Sequence, residues 1–211
     1  MSGKQSIHRV NGVDINMFEV GRGTPTLLFL HYWGGSIRSW RPVMEDLSES
    51  QRCIAIDFRG WGQSSRSTTD YRLNTLADDV IGVIDDLGLH DFSIVGHSMG
   101  GKVAQLVAAR QPAGLLILIL MAPAPPSPID LSEGQRQAMV ASYQTREAML
   151  GVISGIPLSV ARREQIVEDA LSGSPGAKRA WPEQGTREDI RDQVSKINVP
   201  VRVIVGSADV V

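Results

Sequence analysis

Gly96-His97-Ser98-Met99-Gly100 matches the spacing Gly-x-Ser-x-Gly and sets a serine between small residues. A serine hydroxyl is a weak nucleophile until a base takes its proton, and its attack on an acyl carbon creates an oxyanion that needs preorganised donors. The pentapeptide follows the apolar run 92–95 and opens a helical pattern at Met99. Such a turn strains the backbone of the serine, and Gly96 and Gly100 leave the room it needs. The helix N-terminus behind Ser98 favours negative charge developing there. Ser98 is therefore read as the nucleophile of acyl transfer. The plainer reading, a strand-to-helix turn with a capping serine, leaves the neighbouring motifs unexplained.

His31-Tyr32-Trp33-Gly34-Gly35-Ser36 follows the apolar run 26–30. Two backbone N–H groups suffice for an oxyanion hole. Met99, next to the nucleophile, and Trp33, beside two permissive glycines, are the expected donors. Gly206-Ser207-Ala208-Asp209 follows the apolar run 201–205. A carboxylate at a strand end can orient a catalytic histidine, which makes Asp209 the expected acid and Asp130 a weaker alternative. Asp57-Phe58-Arg59-Gly60-Trp61-Gly62-Gln63-Ser64 reads as a structural turn held by Asp57 and Arg59, with no chemistry assigned to it. None of the four histidines is placed to act as base. His97 adjoins Ser98 and should point away from it, and His31 belongs to the donor loop. His90 precedes a strand at the opposite end of the sheet, and His8 lies in the polar N-terminus. Tyr32, Met139 and Met149 are expected to line an apolar substrate pocket.

These groups need elements to position them. Asn11-Gly12 inside 10–18 predicts an antiparallel hairpin. The runs 26–30, 53–56, 92–95, 115–121 and 201–205 are mostly continuous in apolar residues, as strands buried on both faces of a parallel sheet are. Helices are expected over 73–87, with Asp78 and Asp79 near its start and Gly88 as its stop, and over 99–110, with Val103, Leu106 and Val107 on one face. After a proline-rich stretch at 122–128, helices are expected over 132–151, 159–171 and 187–197. The reading is an α/β fold, a mostly parallel central sheet with helices on both faces and an inserted helical cap. The expected divisions are 1–121 for the first part of the core, 122–183 for the cap and 184–211 for the second, incomplete part.

Composition bounds the rest. The chain has 211 residues, 21 Lys plus Arg against 23 Asp plus Glu, and a formal net charge of −2. That balance gives no reason to expect nucleic acid or an anionic membrane as partner. No apolar segment approaches the roughly 20 residues that span a bilayer, and the first residues do not form a signal peptide. The single cysteine, Cys53, sits in an apolar run and suits a reducing cytoplasm.

Taken together, these motifs resemble the α/β-hydrolase superfamily, in its serine esterase and haloperoxidase-like branch with a short helical cap. The resemblance runs from Gly12 to Asp209. It implies a Ser-His-Asp acyl-enzyme mechanism on a small apolar ester, with no metal and no organic cofactor. Thioester, lactone or carbon–carbon bond hydrolysis and perhydrolysis are alternatives on the same residues, and a non-catalytic binding module is an alternative of another class. Serine at position 98 argues against the aspartate-nucleophile dehalogenases and epoxide hydrolases. The resemblance places the histidine on a loop after one further strand. The catalytic histidine is thus expected C-terminal to Val211, and the chain is expected to be a fragment lacking the last strand and helix.

Overall fold

The computed structural model describes residues 3–207. Strands β1 (Lys4–Val10) and β2 (Val13–Val20) form the expected hairpin. Asn11 and Gly12 have φ of 48° and 77°, the left-handed values that a two-residue turn needs to match strand twist. The other strands are β3 (Thr26–Leu30), β4 (Cys53–Ile56), β5 (Phe92–His97), β6 (Leu115–Met121) and β7 (Val201–Ile204). They join one sheet in the order β1-β2-β4-β3-β5-β6-β7, antiparallel through β2–β4 and parallel beyond.

From β3 the chain moves outward to β4 on one side and then crosses to β5 on the other. A reversal of this kind opens a crevice at the carboxyl ends of the strands. Leu30 is registered against Gly96, so the segments leaving β3 and β5 emerge side by side. That register brings the two glycine-containing motifs together.

Alternating residues feed two cores. Leu28, Leu30, Ile54, Ile56 and Ile94 face one cluster, and Phe29, Cys53, Ala55 and Val95 face the other. The first is covered by α2 (Leu73–Asp86) and α3 (Met99–Ala109), the second by α1 (Arg41–Leu47). All eleven residues of α3 are buried, where a single apolar face was expected. Asp78 and Asp79 lie beyond the first turn of α2. They act through ion pairs rather than the helix dipole: Asp78 with Arg110, and the buried Asp79 with Arg59 through two bonds of 2.6 Å.

Between β6 and β7 the expected single helix over 132–151 is two, α4 (Glu133–Ser142) and α5 (Arg146–Val152). Thr145 starts the second by accepting the N–H of Ala148, so the chain breaks at Tyr143. Helix α6 (Val160–Ser172) lies where expected. Helix α7 (Pro175–Glu183) was not anticipated, although Ser174 followed by Pro175 is a start signal. The helix expected over 187–197 shrinks to one turn, α8 (Arg191–Val194). Strand β7 was expected to be buried and is not: all four of its residues are exposed, Val203 by 60%. Among the described residues it pairs on one side only, with β6, and that edge position accounts for its exposure.

Candidate active site

The strand-to-helix turn strains Ser98 as its motif requires. Its φ is 51° and its ψ −117°, a conformation that costs a non-glycine residue of order 1–3 kcal/mol and persists only where neighbours enforce it. They do so through the backbone. Ser98 N–H donates to Met121 O at 3.2 Å, and Ser98 O accepts from Lys102 N–H at 3.1 Å and Ala124 N–H at 3.0 Å. A Cβ on Gly96 would lie 2.6 Å from Gly100 O, and one on Gly100 would lie 2.4 Å from His31 O. Only bare backbone lets α3 press this close to the end of β3.

The loop after β3 is pinned from below. His31 is fully buried, its Nδ1–H donates to Tyr32 O at 2.7 Å, and its Nε2 accepts Phe58 N–H at 3.1 Å. That pairing assigns the neutral ring, and burial pushes its pKa below the ordinary 6.5. Both nitrogens are committed, so His31 shapes the loop. Asp57 ties three segments together: its Oδ1 accepts Ile37 N–H at 2.7 Å, and its Oδ2 accepts Asn16 Nδ2–H at 2.7 Å and Gln63 N–H at 2.9 Å.

Trp33 is 8% exposed, and its indole stacks on Tyr143 with centroids 3.7 Å apart. Tyr143 O–H donates to Trp33 O at 2.9 Å. Burial pushes the Tyr143 pKa up, so the phenol stays a donor. Met99 buries its side chain and stands first in α3, where its N–H has no acceptor within the helix.

Ser98 opens on a cavity of about 500 Å³ at the carboxyl ends of the strands. Tyr32, Trp33, His97 and Met139 line it, as do Tyr143 and Trp181. Of the expected pocket residues, Tyr32 and Met139 stand there. Met149 does not: it is 3% exposed and is the one residue α5 buries in the hydrophobic core. Tyr143 and Trp181 escaped the sequence reading, although Met139 and Tyr143, four apart, fit one helix face. The His97 ring packs edge-on against Tyr32 and Trp40. His8 bonds Asp86, and His90 is exposed just before β5. Asp209 lies outside the described residues, and Asp130 is exposed. Among the described residues, no group of three or more His, Cys, Asp or Glu could hold a metal ion. No helix there is long and apolar enough to cross a membrane.

Behind the turn at Ser98, Lys102 is fully buried on α3. Its ammonium donates to Ser127 O at 3.1 Å and Glu188 O at 2.7 Å, one on each side of the segment containing α4–α7. The two sides also bond each other, Ile129 N–H to Thr186 O at 2.7 Å and Ile190 N–H to Pro126 O at 2.8 Å.

Comparison with known proteins agrees with this architecture. A 2-hydroxymuconate semialdehyde hydrolase of Pseudomonas sp. (strain CF600) is 35% identical over 114 residues, which cover 52% of this chain and 40% of that protein. The chain thus spans less than half the length of that relative. A 3-oxoadipate enol-lactonase 2 of Acinetobacter baylyi is 29% identical over 200 residues, covering 88% of this chain and 72% of that one. The crystal structure of a bromoperoxidase from Bacillus anthracis shares the fold with a TM-score of 0.86 at 22% identity, covering 98% of this chain and 82% of that one. A sequence model of the alpha/beta hydrolase fold matches residues 25–152, and with the sheet order and the strained turn at Ser98 it shows that the chain belongs to this family.

Proposed function

We propose that the protein is a serine hydrolase that cleaves a carboxylic ester of a small, largely apolar molecule. The observation that carries this reading is Ser98 itself, strained at the mouth of a mainly apolar cavity. The hydroxyl proton passes to a histidine, which the family resemblance implies and Asp209 orients. The oxygen of Ser98 adds to the ester carbonyl, and the N–H groups of Trp33 and Met99 hold the oxyanion. Collapse expels the alcohol, which takes the proton from the imidazolium, and water then releases the acyl group. In this reading residues 122–183 act as the cap over the site, between core parts 1–121 and 184–211. The protein works without metal or organic cofactor and resides in the cytoplasm, where Cys53, buried in β4, would stay reduced.

The relatives named for an enol-lactone and a semialdehyde keep lactone and carbon–carbon bond hydrolysis as second readings on the same nucleophile. A fluorophosphonate probe should label Ser98 in the wild type. Ser98→Ala should lose both the label and the turnover of p-nitrophenyl esters. Turnover retained in that variant overturns the assignment, and no labelling in a full-length preparation would favour a binding module.

A further inference from the structure

Helix α4 buries a single residue, and that residue is charged: Arg136, 6% exposed. A guanidinium does not give up its proton in a protein, so its burial is costly unless partners offset it. The other deeply buried cations have such partners. Arg59 holds Asp79, Lys102 holds two carbonyls, and Lys178 donates to Leu171 O at 2.8 Å. Arg41, with one unpaired nitrogen, lies over the Phe18 ring at 4.4 Å. Arg136 is different. Its Nη2 is 3.5 Å from Ile129 O, at the outer limit of a hydrogen bond. Its Nε and Nη1 are buried without a partner among the described residues. The nearest acid in sequence, Glu133, is taken by Arg187 at 2.6 Å.

Its place in the fold suggests what it is for. Arg136, Met139 and Tyr143 recur at helical spacing on one face. Met139 and Tyr143 line the cavity that holds Ser98, and so does Ile129, whose carbonyl Arg136 approaches. The guanidinium is not itself among the lining residues; it stands one layer back, beside the carbonyl of the lining residue Ile129, charged and short of acceptors. A carboxylate suits it, because guanidinium donates to carboxylate oxygens in pairs.

We propose that Arg136 is the anion-recognising residue of this cavity and that the substrate is an acyl compound carrying a carboxylate at the far end of an apolar body. The proposal rests on the hydrolytic reading of Ser98. Its test compares the mono-p-nitrophenyl ester of glutaric acid with p-nitrophenyl butyrate in wild type, Arg136→Met and Arg136→Lys. The wild type should prefer the acidic ester in kcat/KM. Arg136→Met, apolar and able to pack where the guanidinium lay, should lower that preference about 10- to 100-fold, mainly through KM, the effect of losing one charge-assisted hydrogen bond. Arg136→Lys should restore part of it. Glutarate should raise the melting temperature of the wild type and not of Arg136→Met. An unchanged ratio between the two esters overturns the proposal. If a full-length preparation carrying the C-terminal histidine cleaves neither ester, the hydrolytic reading fails, and glutarate decides alone: stabilisation that depends on Arg136 supports anion recognition, and none refutes it.

Discussion

A buried imidazole with both nitrogens committed is a liability in acid. The folded pKa of His31 lies below the ordinary 6.5, because burial disfavours its charged form. Between that lowered value and 6.5 the unfolded chain binds more protons than the native one, so stability falls as pH drops through this window. Urea midpoints measured at pH 7.5 and 5.5 should therefore differ more in the wild type than in His31→Gln, and an equal difference would remove His31 from the account. At this scale the sequence was informative where a motif has fixed spacing. Ser98 and Trp33 line one cavity and Met99 follows Ser98 at the start of α3, because a strained turn and a glycine loop are written in small residues. Tyr32 and Met139 also reach the cavity. Met149 does not, because the break at Tyr143 separates its helix from the one carrying Met139. Arg136 gave no signal at all: between Gln135 and Gln137 it reads as one more solvated side chain.

Elements were legible where one physical demand set them. The strands β3 and β4 have the bounds of their apolar runs, since a strand buried in a parallel sheet is apolar along its whole length, and β6 keeps its bounds too although Leu116 is exposed. Helices between β6 and β7 were harder. Capping by Ser132, Thr145, Ser159 and Ser174 sets where they begin, and such serines and threonines are common in loops as well. Helix α3 carries more than an apolar face. Through Lys102 it binds the carbonyls of Ser127 and Glu188. Lys102→Ala should strand both carbonyls and leave a cavity, costing about 2–4 kcal/mol in urea unfolding. Hydrogen exchange should rise first in residues 126–190. Uniform loosening of the whole sheet instead would show that Lys102 merely fills space.

As a whole molecule, the chain is close to charge balance, with a net charge of −2 and an isoelectric point near 6.1. Among the described residues, its sheet also presents an edge on which Val203, Ile204 and Val205 are each more than half exposed. Weak charge repulsion and an open apolar edge favour association. Light scattering of this 211-residue chain should peak near pH 6, and Val203→Lys should suppress it without lowering the free energy of urea unfolding by more than about 0.5 kcal/mol. Scattering that ignores both pH and the substitution would place association elsewhere. The Lys102 ammonium behind the turn at Ser98 has a mechanical consequence as well. Both ends of the segment carrying α4–α7 are fastened to the helix that presents Ser98. Those bonds sit at the two ends of the segment, where a hinge would lie, so they fix the line about which it can turn. The base of that segment and the helix that presents Ser98 are therefore anchored by one shared side chain, and loosening Lys102 loosens both together.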